Sequence, residues 1–363
     1  MPAVIADSPI MLTFKLPRLL NIHQVPKDFR EEYIISGYRQ PKSSALDCVR
    51  SIFQLTNETL NIWTHLLPTW YFVWRIIILA QRLDFQKDAY TWPLLVYLAG
   101  CCVYLLASSC AHTFSTMSLR IRHMCFFFDY AALSFYSLGS AVGYGAYTIP
   151  DDWLDSTFHH CYIPLAILNS IVCSCLSCYT RLGLPFLHYS PTKLNRLSDT
   201  ENPKVVKLLR TVAFAYPYFF DHIPLYYRVC LCAGDGCTSN DAIPLHHLHM
   251  FFASLTGFFF ASHFPECLAP GRFDLIGHSH QLFHTSAVFG TYFQLEALVL
   301  DLEQRRESLR ISPASHPCRG WPGGAIAFAA FANLLVAGTF SLAVVWLRPR
   351  GGDKKTCRTR WND

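Results

Sequence analysis

Residues 92–112 read WPLLVYLAGCCVYLLASSCAH, a run with no Asp, Glu, Lys or Arg that ends on a histidine. At about 1.5 Å per residue, a helix of this length spans a hydrocarbon core roughly 30 Å thick. Comparable apolar segments recur at 60–80, 124–147, 161–180, 208–229, 247–265 and 279–300, and an eighth, 325–347, is the most uniformly apolar. The pattern predicts an all-α membrane protein, a seven-transmembrane helix bundle with an eighth, C-terminal transmembrane helix. Composition agrees: of 363 residues, 52% are hydrophobic and only 15% charged, which is not the balance of an ordinary soluble domain. Several segments carry Pro, His or Asp, residues that belong on faces turned to a bundle interior rather than to lipid.

The net charge of +5 sits in loops and tails, where Lys and Arg set orientation, and no basic-aromatic platform accompanies it; nucleic acid is not an expected partner. With the N-terminus in the cytoplasm, 21 Lys and Arg fall inside and 7 outside; without the eighth helix the division is 15 against 13. Charge thus supports both an N-in orientation and the eighth crossing. The expected organisation is a cytoplasmic N-terminal region (1–58), a seven-helix core (59–300), an extracellular loop (301–324), the eighth helix (325–347) and a basic cytoplasmic tail (348–363). Met1 to Arg50 is mixed and polar, with apolar stretches too short to be expected to serve as a signal peptide. The sole glycosylation sequon, Asn57-Glu58-Thr59, faces the cytoplasm on this topology and is expected to stay unmodified, so glycan there would argue against N-in.

Fifteen cysteines in so long a chain are not a disulfide framework. Most lie in apolar segments as small hydrophobes, while Cys230, Cys232 and Cys237 share a short outer loop where a disulfide of unspecified pairing is possible.

Three segments deliver costly polar groups to one end of the bundle. His112 ends the second, Asp129 lies one turn into the third, and His280 and His284 open the seventh. A central Asp costs about 2.5–3.5 kcal/mol on insertion scales, so each such group needs a partner or an ion. His280 and His284, four residues apart, share a helix face, and Ser108 stands one turn before His112. Three histidines and one acid form a zinc ligand set that leaves a position for water. Such a zinc could be catalytic, with Asp129 taking a proton from water and Ser108 donating toward an oxyanion, or it could merely staple three helices together. Both readings use the same ligands. His65 and Asp221 are weaker intramembrane signals, each read as a structural hydrogen-bonding group or a ligand contact. Arg75 is expected to snorkel outward, and Glu296, far along its helix from His280, is not a metal ligand.

The residues 56–65 (TNETLNIWTH), Ser108-x-x-x-His112, Asp129 and 280–284 (HQLFH) together resemble the progestin and adipoQ receptor family over about residues 20–300. The stretches 43–49 (SSALDCV), 268–274 (LAPGRFD) and 293–297 (FQLEA) are most similar to its membrane progestin receptor branch, nearest the delta subtype. The resemblance implies an adiponectin-receptor-like seven-helix core with its N-terminus inside, opposite to G-protein-coupled receptors. It implies a cytoplasmic-side Zn2+ held by His112, His280 and His284, with Asp129 reaching it through water. It also implies a plasma-membrane receptor for progesterone or related neurosteroids that signals through heterotrimeric G proteins. A relationship of that family to alkaline ceramidases implies the alternative of a zinc-dependent ceramide amidohydrolase regulated by steroid.

Overall fold

The computed structural model describes residues 17–154, 156–182, 203–232, 240–311 and 323–346. Among the described residues the regular elements are all helices, with one isolated β-bridge between Leu20 and Tyr38. A short α1 (Ala45–Arg50) precedes the long helices α2 (Thr59–Ala80), α3 (Trp92–Phe114), α4 (Leu119–Tyr147) and α5 (Thr157–Leu182). Then come α6 (Pro203–Asp221), the single turn α7 (Ile223–Tyr226), α8 (Ala242–Ser262), α9 (Ser279–Ile311) and α10 (Gly323–Trp346). Five of them, α2 to α5 and α10, are each long and apolar enough to cross a membrane by length and composition. The fold is the expected seven-helix core, with α10 as the additional helix.

Helix starts follow local chemistry. Pro93 occupies the first turn of α3, where a missing N–H costs nothing. The Ser118 hydroxyl caps α4 by accepting the Ile121 N–H at 3.2 Å. The end of α9 departs from expectation, running through residues 301–311 that hydropathy assigns to a loop. That stretch, DLEQRRESLRI, is built of good helix formers. Hydropathy marks where apolar character stops, not where backbone hydrogen bonding stops.

Each of α2 to α6 packs on the next, α8 packs along α9, and α9 closes the ring on α2 while touching α3 and α4. Glycines set the tightest approach. A Cβ at Gly100 would stand 3.0 Å from the Tyr136 Cα, and one at Gly139 would stand 3.1 Å from the Tyr97 Cα. In lipid, where apolar burial between helices gains little, such close backbone contact is a main source of cohesion.

Polar groups inside the ring are satisfied by one another. Gln294 donates to the Tyr144 hydroxyl at 2.7 Å and accepts from Tyr136 at 2.8 Å and Tyr97 at 3.1 Å. Thus α3, α4 and α9 share one amide. Arg75 does not snorkel but pairs with Glu296 at 2.8 Å, because a carboxylate partner at that depth replaces the hydration that lipid cannot give. Outside the ring, α10 lies against α4 and α5, fixed by Asn333, which accepts from Ser174 and donates to Ser170 at 3.0 Å.

Two sequence expectations gain detail. Asn57 is buried and its N–H bonds to the Gly37 carbonyl at 3.0 Å, so the sequon is hidden in the folded protein. Cys232 is disulfide-bonded while Cys230 is a free, exposed thiol; Cys237 lies outside the described residues.

Replacing Gly139 with leucine should push α4 off α3 and destabilise the bundle by about 1–3 kcal/mol. Thermal unfolding in lipid nanodiscs reads this directly, and an unchanged transition would contradict the close-contact account.

Candidate functional site

The site is built where α3 ends and α9 begins. The last carbonyls of α3 lack helical partners, and the buried guanidinium of Arg39 supplies them. It donates to the carbonyl of His112 at 2.5 Å and to that of Thr113 at 2.8 Å, and holds the hydroxyls of Ser51 and Ser115 as well. A positive group at a helix C-terminus also complements the dipole. The start of α9 is treated in the opposite sense. The buried Glu266 carboxylate accepts from the Ser279 N–H at 2.6 Å and from its hydroxyl. Asp274, in the same loop, accepts from the N–H groups of Ile35 (3.1 Å) and Ser36 (2.7 Å), tying it to the N-terminal segment.

These anchors bring three imidazoles together. The ligand-capable nitrogens of His112, His280 and His284 all lie within 4.8 Å of one another, with ring centroids 4.6–5.0 Å apart. Two of the rings are oriented through their other nitrogen. His112 donates from Nδ1 to Glu58 Oε2 at 2.7 Å, and His284 from Nδ1 to the Asn61 carbonyl at 3.0 Å. Each therefore turns an Nε2 lone pair toward the centre. The Nε2 atoms of His112 and His280 are 3.2 Å apart, close to the separation of about 3.3 Å that two nitrogens take around a tetrahedral ion at 2.0–2.1 Å. The donor set and its spacing fit a zinc ion.

Glu58 is the residue that sequence reasoning passed over. It sits immediately before α2, is buried, and is also held by the Asn61 amide at 2.8 Å. Burial alone would raise its carboxyl, but His112, Asn61 and Arg39 outweigh it and hold it well below the usual carboxylate range. A carboxyl depressed on folding contributes stability above its unfolded value of about 4.3 and loses it as pH falls through the folded one. The signal was available: an acid just before an apolar helix whose next turns carry Asn61 and His65, read only as part of the sequon and of the 56–65 motif, with no role of its own.

The other predicted residues are placed nearby. Ser108 is buried, one turn before His112 on the same face. Asp129 is half-buried on α4, within Coulombic reach of His112 and Arg181, but is not among the converging ligand atoms. His65 stacks on His284 with centroids 3.7 Å apart and planes 4° from parallel, backing that ring. Asp221 lies elsewhere, on α6, accepting from Ser137.

The family model of haemolysin-III-related proteins matches residues 53–295, and the chain belongs to that family. It is 59% identical over 298 residues to membrane progestin receptor gamma-B of Danio rerio, covering 82% of this chain and 86% of the relative. Against membrane progestin receptor delta of Homo sapiens it is 52% identical over 339 residues, 92% of this chain and 93% of the relative. Membrane progestin receptor alpha of Cynoscion nebulosus is more distant, 33% identical over 80% of this chain and 78% of the relative.

Substituting Glu58 with glutamine keeps the shape but removes the charge that orients His112. It should lower the affinity of the three-histidine site for a divalent ion about 10–100-fold, measured by chelator competition on the purified protein. Unchanged affinity would show that Glu58 does not tune the site.

Proposed function

We propose that this chain is a plasma-membrane receptor for progestins or closely related neutral steroids, with zinc held by His112, His280 and His284. The observation that carries the steroid reading is the 52–59% identity, over most of both chains, to proteins named membrane progestin receptors. Half of all positions retained through the full bundle is more than a shared fold requires. The zinc reading rests on the three converging nitrogens and on the tautomers fixed by Glu58 and Asn61.

The proposed N-in orientation draws support from which residues share the histidine end. The N-terminal segment meets α4 there, through Arg122 and Glu31 at 2.5 Å, and meets the loop before α9 through Asp274. The excess of Lys and Arg on that side supports a cytoplasmic position for it. A signal would leave through cytoplasmic partners, heterotrimeric G proteins being the proposed class.

A second reading is favoured by one observation, the Asp129 carboxyl lying within Coulombic reach of His112 without joining the histidine cluster. On this reading the chain is a zinc-dependent ceramide amidohydrolase regulated by steroid. A bound zinc would supply nucleophilic hydroxide at neutral pH. Asp129 would hold and accept the proton, and Ser108, one turn from His112, would donate a hydrogen bond to the developing oxyanion.

Both readings are tested on purified, zinc-replete protein by labelled progesterone binding and by fatty-acid release from labelled ceramide, with Asp129→Ala alongside. The receptor reading expects saturable steroid binding that survives the substitution, with no release. The hydrolase reading expects release that falls about 10²–10⁴-fold in the variant. Absence of steroid binding by folded, zinc-loaded protein would overturn the receptor reading.

A further inference from the structure

A second histidine contact lies deeper in the bundle. His222 fills the break between α6 and α7, between Pro217 and Pro224, and His249 faces it from α8. Both are buried. Their Nε2 atoms are 2.8 Å apart, with ring planes within 10° of parallel. Nδ1 of His222 is 2.7 Å from the Tyr218 carbonyl oxygen, and Nδ1 of His249 is 2.9 Å from the Gly290 carbonyl oxygen. Gly290 is ten residues along α9 from His280, roughly 15 Å.

The proton inventory does not close with neutral rings. Each of the three contacts joins two atoms that are acceptors unless one carries hydrogen, and a carbonyl oxygen never does. Three contacts need three protons, and two neutral imidazoles bring two. Turning either ring to its other tautomer only moves the missing proton from the Nε2 contact to a carbonyl contact. We infer that His222 and His249 bind one excess proton between their Nε2 atoms, as a buried imidazolium–imidazole pair.

A metal ion fits this pair less well than a proton does. At 2.0–2.1 Å bonds, nitrogens 2.8 Å apart subtend about a right angle, well below tetrahedral, whereas 2.8 Å is an ordinary N–H···N distance. The surroundings suit a delocalised cation. The Tyr218 ring lies 4.0 Å from the His222 ring and the Tyr144 ring 4.9 Å, offering aromatic faces.

Among the described residues the other ionisable groups near the pair make no hydrogen bond to either imidazole. On the same segment Asp221 accepts from Ser137 through one oxygen while its other oxygen is buried without a hydrogen-bond partner, and the Tyr226 hydroxyl, its ring 6.0 Å from that of His222, donates to the Tyr218 hydroxyl. Arg228 pairs with Asp301 of α9 at 2.7 Å. On α8, His246 donates to the same Asp301 at 2.8 Å, with His247 beside it; on α4, Tyr136 is bound to Gln294. The proton therefore bridges the helix break and α8 directly. Its loss would leave two lone pairs facing at the joint, so occupancy sets whether α6–α7 and α8 attract or repel. The site is independent of the three-histidine centre and of the steroid reading.

Full-length protein with ¹⁵N-labelled histidine, in lipid nanodiscs, tests this by solid-state NMR. The expected spectrum has both Nδ1 atoms protonated and both Nε2 atoms correlated to one strongly deshielded proton, lost on raising the pH. In His249→Gln that signal disappears, and His222 becomes a neutral ring accepting from the glutamine amide. Unprotonated Nε2 atoms on both residues in the wild type, from mildly acidic to neutral pH, would overturn the inference. So would metal-shifted nitrogens in their place. The wild-type spectrum decides the matter, with His222→Gln supplying the assignment if His249→Gln does not fold.

Discussion

Inside an apolar bundle an imidazole points its lone pair wherever its other nitrogen is not donating. The contact between His112 Nδ1 and Glu58 Oε2 at 2.7 Å is therefore the interaction on which the site depends. It fixes one tautomer, aims Nε2 at His280, and brings a negative charge against a cluster of three imidazoles. Glu58 is affordable there because Arg39 lies close, and Arg39 is itself held by the carbonyls that end α3. Helix termination, ion pairing and ligand orientation are thus one arrangement. Removing any member strands a buried charge or an unpaired carbonyl, each worth about 1–3 kcal/mol or more.

The rest of the bundle serves to hold α3 and α9 in register at that end. Close glycine contacts bring α3 against α4, and Gln294 joins both to α9 through tyrosine hydroxyls. Glu266 secures the first turn of α9, so His280 and His284 start from a fixed point. The break at His222 is the contrasting region, bounded by prolines and followed by a π-turn over Tyr227–Leu231. Irregular backbone at that depth is tolerated when packed by protein, and the paired histidines sit where it occurs.

Much of this was legible in the sequence because membrane crossing leaves a one-dimensional record. Apolar length locates the helices, and the expense of His and Asp in lipid singles out His112, His280 and His284 before any geometry is known. What stayed hidden depends on tertiary contact. Arg39 and Glu58 precede the first crossing, where charge is unremarkable, and only packing against the end of α3 makes them buried partners. Arg75 looked like a lipid-facing side chain because Glu296 lies more than two hundred residues away. His222 and His249 carry no spacing signal, since they meet across two helices rather than along one.

The convergence of the three imidazoles is proposed to serve a metal ion. X-ray absorption at the zinc edge, on full-length protein purified without added metal, tests it most directly. The prediction is one zinc per chain with three nitrogen scatterers at about 2.0–2.1 Å and a remaining oxygen. Protein that binds steroid yet holds no zinc, or a zinc shell containing sulfur, would contradict it.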